Sequence, residues 1–352
     1  MALQLLGRLF EFFLEKHKRA ITIVGATSGD TGSAAIEATA GRRYMRTIIL
    51  HPKDRVSEVQ RRQMTTVEAA NIHNVAVEGS FDDCQALVKA MFNDPAFRAR
   101  HNLAAINSIN WCRIMAQVVY YVTASLALGG PWRRVSFSVP SGNFGDVYAG
   151  YVAASMGVPM DRLIVATNRN DILARFFETG VYSARTVEPT ISPSMDIQIA
   201  SNFERLLFDL MGRDGQEVNQ MMAAFAEERQ MSLDTGRLAK ANERFSAFRA
   251  SEDQILAMMN EAYETTGEVV DPHTAVGLAA AKALSVETEA PIVTLATAHP
   301  AKFPDAVVQA IGQKPKLPAH LQDLLTKPER MTPLPHVLAA IQAHIDHLPI
   351  AN

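Results

Sequence analysis

Ser138-Val-Pro-Ser-Gly-Asn-Phe-Gly-Asp146 is the stretch that decides the fold. It overlaps the end of an apolar run at residues 135–139 and is followed by small and apolar residues at helical spacing from 147 to 156. A β-branched and aromatic run, a glycine-spaced turn and a helical pattern predict a strand, a loop and a helix. Glycines let a ligand approach the backbone, and the N–H groups and positive dipole end of a helix favour anions. The stretch therefore predicts a phosphate cradle.

The same residues also suit an ordinary helix entry. Ser141, Asn143 and Asp146 are side chains that commonly cap helices, and a turn of this composition needs no ligand. On these residues alone, a phosphate cradle and a simple cap are equal alternatives.

Two further segments repeat the arrangement of a strand followed by a loop. The apolar run at 21–24 precedes Gly25-Ala-Thr-Ser-Gly-Asp-Thr-Gly32, and the run at 291–296 precedes Thr297-Ala-His-Pro-Ala-Lys-Phe303. Neither of the two glycine loops, at 25–32 and at 140–146, has the spacing of a Walker A motif or a dinucleotide fingerprint. Because strands alternate with helices along the chain, we expect parallel α/β layers with these loops at the carboxyl ends of the strands.

Composition describes an ordinary globular chain and excludes several classes. The 352 residues are 48% hydrophobic and 20% charged, with a net charge of −3, which gives no bias toward nucleic acid or membrane surfaces. Two cysteines, Cys84 and Cys112, are too few for a disulfide framework and have no metal-ligand spacing, which favours a reducing cytoplasm. The apolar N-terminus lacks the features of a signal peptide and reads as an amphipathic helix. We expect no metal and no membrane span, and either a monomer or a homodimer.

The organisation along the chain suggests two domains after a first helix. We expect a helix at 1–18 at the domain interface, a small α/β domain at 19–118 and a large α/β domain at 119–352. The pattern from about 168 to 267 is mainly helical and predicts a helical insertion between strands of the large domain.

Six motifs stand out along the chain: GATSGDTG at 25–32, NSINW at 107–111, PSGNFGD at 140–146, SPSMDI at 192–197, DPHTAVG at 271–277 and TAHPAKF at 297–303. They stand in the order seen in threonine synthases, and the chain resembles the bacterial and fungal branch of that family. The resemblance implies the fold-type II class of pyridoxal phosphate enzymes, which is tryptophan synthase β-like, with two open, twisted, mostly parallel sheets flanked by helices. It also implies a lyase of threonine biosynthesis that converts O-phosphohomoserine and water to threonine and phosphate.

The resemblance also implies roles for individual residues. Those matching the cofactor site are Gly142, Asn143, Phe144, Gly145 and Asp146 around the phosphate, Thr297 facing the pyridine nitrogen, and Asp30 near the 3′ oxygen. Those matching the loop for the substrate carboxylate are Ser28, Gly29 and Thr31. For the substrate phosphate the candidates are Ser108, Asn110, Arg113 and Lys302, because an arginine fork and a lysine point charge both suit that anion.

Several of these residues have simpler explanations. Arg113 also suits an ion pair on a helix surface, and Asp30, an awkward neighbour for a carboxylate, should be turned away or hydrogen-bonded. His299 and His273 could relay protons or could cap backbone groups. Asp196 and Asn202 are expected to order a loop near the site or to form plain turn structure.

One departure from the family concerns the lysine that carries the cofactor. In the family it lies just upstream of the helix that here begins at Met1, and no lysine of this sequence matches it. We therefore name no catalytic residue, and expect this chain to be a piece of an ordinary enzyme that cannot hold the cofactor covalently by itself. The alternatives are a ligand-binding homologue without activity and another lyase of the same fold, such as a threonine dehydratase.

Overall fold

The computed structural model describes residues 2–27 and 29–349, apart from the side chain of Glu287. The chain forms two compact units. One comprises Met1–Arg113 and Leu317–Asn352, and the other comprises Ile114–Lys316. Within the described part of the chain, no helix is long and apolar enough to cross a membrane.

The first unit begins with strands and helices in alternation. In chain order they are α1 (Ala2–His17), β1 (Ile21–Ala26), α2 (Asp30–Thr39), β2 (Met45–Pro52), α3 (Glu58–Thr65), β3 (Ile72–Glu78), α4 (Phe81–Asn93), α5 (Pro95–His101) and β4 (Leu103–Ala104). Local sequence explains several boundaries. Ser80 and Asp83 form a reciprocal capping box at the start of α4, and Asp94 caps α5 by accepting from two backbone N–H groups.

The strands of the first unit are parallel, in the spatial order β3-β2-β1-β4. One face of the sheet packs on α1, α2 and α3 through residues such as Leu6, Ile36 and Met64, and the other face packs on α4 through residues such as Leu87 and Met91. Helix α1 thus contributes its buried face to the core of this unit.

The second unit contains a second parallel sheet. Its elements are α6 (Trp111–Ala127, which begins just before the unit boundary), β5 (Val135–Pro140), α7 (Gly145–Ser155), β6 (Met160–Thr167), α8 (Ile172–Thr179), β7 (Val181–Ser183), α9 (Phe203–Leu210), α10 (Gly215–Glu228), β8 (Gln230–Ser232), α11 (Thr235–Asn242), β9 (Phe245–Arg249), α12 (Glu252–Thr266), α13 (Pro272–Leu284), β10 (Ile292–Thr294) and α14 (Pro304–Ile311). The sheet has the order β10-β5-β6-β9, and β7 and β8 form a separate antiparallel pair. The predicted α/β class, with mostly parallel sheets flanked by helices, is confirmed.

The region expected to be a helical insertion also supplies part of this sheet. Strand β9 pairs in parallel with β6, from Leu163 opposite Phe245 to Thr167 opposite Arg249. Its five residues, Phe-Ser-Ala-Phe-Arg, are too short and too weakly alternating to stand out among the helices around them.

The last residues of the chain return to the first unit. Strand β11 (Thr332–Pro335) pairs in parallel with β3, and α15 (Leu338–His347) packs through Ile341 and Ile345 against the face that holds α4. Residues 317–352 therefore lie with the first unit, whereas the sequence placed them in the large domain. The reason is the pairing of β11 with β3. A Thr-Pro-Leu-Pro segment does not predict a strand, since proline is unfavourable in strands.

Candidate active site

Loops of the second unit leave its sheet along one edge. Because β5, β6 and β10 are parallel neighbours, their carboxyl ends lie together at Pro140, Thr167 and Thr294. In open α/β sheets ligands bind at this edge. The loop before α7 and the loop at 295–303 therefore start beside each other, as the sequence predicted.

The loop before α7 is held rigid by its own side chains. The Ser141 hydroxyl accepts a hydrogen bond from the Phe144 N–H at 3.0 Å, and the Asn143 side-chain oxygen accepts from the Gly145 N–H at 2.9 Å. Phe144 takes a left-handed conformation with φ of 64°. Its fully buried ring packs among Phe177, Phe203 and Phe245 in the core of the unit. The strained backbone is thus fixed by an aromatic anchor.

The geometry of this loop fits a phosphate group. The first N–H groups of α7 have no acceptors within the helix and lie at its positive dipole end. Gly142 lets the loop pack closely on the segment behind it, because an added Cβ would lie 3.1 Å from the Met195 Cα and 3.0 Å from the Ile197 Cδ1. A helix start preceded by a tight glycine-containing turn is an arrangement that receives a phosphate dianion.

Asp146, in the first turn of α7, is bound by a buried tyrosine. The Tyr121 hydroxyl lies 2.7 Å from the Asp146 carbonyl oxygen and 3.2 Å from its carboxyl Oδ1. Burial raises the pKa of Asp146 to about 7, and the hydrogen bond from Tyr121 opposes that rise. Burial also raises the pKa of Tyr121 well above its ordinary value, so Tyr121 is the proton donor of the pair.

A segment at 190–202 supports the loop from behind. The Asp196 carboxylate accepts from Asn168, Asn170 and the hydroxyl and N–H of Thr190, which fixes its turn. Asn202 donates from its backbone and its side chain to the Asn143 carbonyl oxygen, at 3.0 and 3.3 Å. Asn202 therefore holds the loop before α7, whereas Asp196 orders the turn of its own segment, which is the plain turn structure that the sequence left as the alternative.

His273 and His299 both bind backbone groups. His273 is buried between Asp271 and the N–H of Ser194, and the His299 Nδ1 accepts from the Ala301 N–H at 3.1 Å, which caps the turn Pro300–Lys302. Of the two alternatives considered for each histidine, a proton relay and a cap on backbone groups, the structure contains the cap. Lys302 ends that turn half-buried, and Thr297 is exposed three residues beyond the end of β10.

In the first unit, the loop after β1 is organised by Thr27, a residue that sequence reasoning missed. Its buried hydroxyl accepts from the Gly29 and Gly32 N–H groups, each at 2.9 Å. Gly29 has φ of 143°, and a Cβ there would lie 2.5 Å from the Gln60 side chain, so only glycine fits. Thr31 follows in the first turn of α2, while Ser28 lies outside the described residues. The signal that could have found Thr27 is its position directly before the glycine turn, where threonine hydroxyls bind backbone.

The expected hydrogen bond to Asp30 is present. Gln60 donates from Nε2 to the Asp30 carboxylate at 3.1 Å, and the Ser57 hydroxyl binds the other side-chain atom of Gln60 at 2.9 Å. The sequence did not identify Gln60 as its partner.

The candidates Ser108, Asn110 and Arg113 follow β4. Since β4 pairs in parallel with β1, this segment leaves the same sheet edge as the Thr27 loop. The Asn110 side chain accepts from the Cys112 N–H at 3.0 Å and its carbonyl accepts from the Arg113 N–H at 2.9 Å. Asn110 therefore caps the start of α6. Ser108 lies just before this helix, and Arg113 lies in its first turn.

Sequence comparison places the whole chain among known proteins. Residues 1–236 match the family described as pyridoxal-phosphate dependent enzyme, and residues 274–345 match the family described as threonine synthase, C-terminal. The threonine synthase of Pseudomonas aeruginosa is 54% identical over 98% of this chain and 74% of its own length. That of Saccharomyces cerevisiae is 41% identical over 94% of this chain and 71% of its own length.

A solved structure agrees with these matches. The crystal structure of pyridoxal-phosphate-bound threonine synthase from Brucella melitensis superposes with a TM-score of 0.96 at 50% identity, covering 98% of this chain and 74% of that one. This chain therefore belongs to the threonine synthase family of pyridoxal-phosphate-dependent enzymes.

Proposed function

We propose that the protein carrying this chain converts O-phosphohomoserine and water to L-threonine and inorganic phosphate. The observation that carries the proposal is the rigid turn at residues 141–145, which Ser141 and Asn143 hold in place at the start of α7, where the helix dipole favours a phosphate. Its length and composition match the family motif, and the chain is 54% identical to a threonine synthase over 98% of its length.

Pyridoxal phosphate is the cofactor, and when bound it supplies the electron sink for reactions at the carbon atoms of an amino acid. We assign its phosphate to the loop formed by Gly142, Asn143, Phe144, Gly145 and Asp146, whose shape is fixed by the hydrogen bonds that Ser141 and Asn143 accept within it. The Thr297 hydroxyl faces the pyridine nitrogen in this assignment, where a neutral group does not hold the ring protonated. Asp30 lies near the 3′ oxygen, oriented by its hydrogen bond from Gln60.

We assign the substrate carboxylate to the loop after β1. In this assignment Ser28, Gly29 and Thr31 bind the carboxylate beside the start of α2, where the helix dipole favours an anion. The Gln60 side chain keeps the Asp30 carboxylate engaged. That hydrogen bond limits the repulsion between the Asp30 carboxylate and the substrate carboxylate.

We assign the substrate phosphate to four donors of differing chemistry. Arg113 can bind two phosphate oxygens at once, and Lys302 supplies a point charge. Ser108 and Asn110 add neutral donors. In this assignment each donor stabilises negative charge that grows on the leaving phosphate.

A direct assay tests the function. Purified protein carrying this chain, loaded with pyridoxal phosphate, is incubated with O-phosphohomoserine, and phosphate and threonine are both measured. We expect equal amounts of the two products, and no product from homoserine, which lacks the leaving group. Formation of 2-oxobutyrate from threonine without phosphate release would instead indicate a dehydratase. Cofactor binding without any product would indicate a ligand-binding homologue.

Borohydride reduction followed by mass analysis identifies the lysine that holds the cofactor. The family resemblance assigns that role to none of the lysines of this sequence. An adduct on a lysine of this sequence would contradict that assignment, and an adduct on Lys302 would also overturn its proposed role in binding the substrate phosphate.

We also propose a reducing, cytoplasmic location and a monomeric or homodimeric state. Cys84 and Cys112 are both free, and burial raises the pKa of the Cys84 thiol to about 12, which leaves it unreactive. Cell fractionation and light scattering test these two proposals.

A further inference from the structure

The motif Asp271-Pro-His273 builds a buried hydrogen-bonded group at the start of α13. Asp271 is fully buried and caps the helix. Its Oδ1 accepts from the His273 N–H at 2.8 Å, and its Oδ2 accepts from the N–H and the hydroxyl of Thr274. The His273 ring is 3% exposed and packs against Phe303, with the ring centres 4.6 Å apart.

The partners of the His273 ring define its tautomer. The Ser194 backbone N–H lies 3.1 Å from Nε2, and a backbone N–H can only donate. Nε2 is therefore unprotonated, and the ring proton of the neutral imidazole lies on Nδ1. That nitrogen is 2.8 Å from the Asp271 Oδ1, which accepts the proton's hydrogen bond. Both ring nitrogens are engaged with protein groups.

The residue that His273 holds lies directly behind the loop before α7. Ser194 is the middle residue of the turn Pro193–Met195. The next residue, Met195, is 3% exposed, and its Cα is one of the two atoms closest to the site of an added Cβ on Gly142. The backbone of this turn thus forms the surface on which Gly142 rests.

We propose that His273 is a positioning residue for the cofactor phosphate. As a neutral imidazole oriented by Asp271, it anchors the Ser194 backbone. The anchored turn keeps Gly142 in the conformation that presents the loop N–H groups to the phosphate. The inference rests on the proposed function, because it assumes that pyridoxal phosphate occupies this loop.

The arrangement excludes direct proton exchange between His273 and the substrate. A ring that is 3% exposed, with one nitrogen donating to Asp271 and the other accepting from Ser194, has no free atom for that step. Its contribution therefore reaches the site through the turn that it holds.

Two substitutions separate the two hydrogen bonds. His273→Asn retains a donor near the position of Nδ1 but cannot reach Ser194, whereas His273→Gln places an acceptor near the position of Nε2. The probe is pyridoxal phosphate, and its affinity is measured by equilibrium titration of cofactor fluorescence. We expect His273→Asn to weaken binding about tenfold, the effect of one lost hydrogen bond, and His273→Gln to stay within about threefold of the unchanged protein.

A matched control separates positioning from general stability. Ser251→Ala removes the hydroxyl that accepts a capping hydrogen bond from the Gln254 N–H on α12, so it should lower thermal stability without changing cofactor affinity. Equal affinity in the Asn variant, the Gln variant and the unchanged protein would overturn the inference. Failure of the unchanged protein to bind pyridoxal phosphate would instead overturn the proposed function.

A measurement on the unchanged protein needs no variant. Nitrogen-15 spectra of the histidine side chains report the tautomer, and we expect His273 to carry its proton on Nδ1 at neutral pH. A proton on Nε2 would overturn the inference, because that nitrogen could not then accept from Ser194.

Discussion

The Arg46 guanidinium donates to the Leu348 carbonyl oxygen at 2.7 Å, which ties the end of α15 to the middle of the first unit's sheet. Arg46 is 1% exposed and also donates to the Thr22 hydroxyl and to the His101 Nδ1, at 2.9 Å in each case. Burial lowers the pKa of Arg46. The charge is tolerated because each side of the guanidinium meets an acceptor.

Replacing Arg46 should release this anchor. Arg46→Ala leaves the Leu348 and Thr22 oxygens without their donor, and we expect the free energy of unfolding to fall by about 3 kcal/mol. Urea unfolding measures it. The control is Arg100→Ala, which breaks an exposed ion pair between α5 and Asp346 of α15 and should cost less than about 1 kcal/mol. Equal losses in the two variants would contradict the role of the buried network.

His73 should make the first unit sensitive to acid. Burial, reinforced by the charge of Arg46, lowers the pKa of His73 to about 4. The folded pKa lies below the unfolded one, so the stabilising effect of the neutral ring is complete above about pH 6.5 and is lost as pH falls toward 4. Urea titrations at pH 7 and pH 5 should show a smaller loss of unfolding free energy for His73→Gln than for the unchanged protein. An identical loss would contradict the assignment.

Asp146 should make the second unit less stable as pH rises, the opposite of the effect of His73. Its folded pKa of about 7 lies above the ordinary carboxyl value of 3.8, so folding favours the neutral form. This contribution is present below about pH 4 and is lost as pH rises through 7. Without cofactor, the unchanged protein should therefore lose unfolding free energy between pH 4 and pH 7 relative to Asp146→Asn. Parallel pH profiles for the two proteins would show that the carboxyl is already ionised in this range.

Gly142 should be indispensable for cofactor binding. In Gly142→Ala the new methyl group meets the Met195 Cα at 3.1 Å, and a backbone atom cannot move aside without shifting the turn. We expect cofactor affinity to fall at least about tenfold, because the loop N–H groups are displaced. Gly215→Ala is the control, since its added methyl makes only ordinary contact with Phe208 at 3.9 Å. Unchanged affinity in Gly142→Ala would place the phosphate elsewhere.

The parts of the fold that local sequence specifies could be predicted. The loop before α7 carries its own determinants, because Ser141 and Asn143 bind N–H groups two or three residues away. The alternation of apolar runs with helical patterns is also a local signal, and it indicated parallel sheets. Motif order then identified the family, whose membership the comparisons confirm.

The features that escaped prediction depend on residues distant in sequence. Thr27 was overlooked as an acceptor, and Gln60 reaches Asp30 across 30 residues. His273 accepts a hydrogen bond from Ser194, which is 79 residues away in sequence. No local pattern therefore distinguishes this structural hydrogen bond from a role as a proton relay. Strand β11 contains two prolines and is placed by its partner β3.

The pairing of β11 with β3 also has a consequence for the order in which the protein folds. Roughly 250 residues separate Val75 from its partner Thr332, and such distant pairings are slow to form. During synthesis the whole second unit leaves the ribosome before β11 exists, and its own sheet is complete within contiguous sequence. Nascent chains therefore pass through a stage with β3 as an uncovered sheet edge, the kind of surface on which chains aggregate and chaperones act.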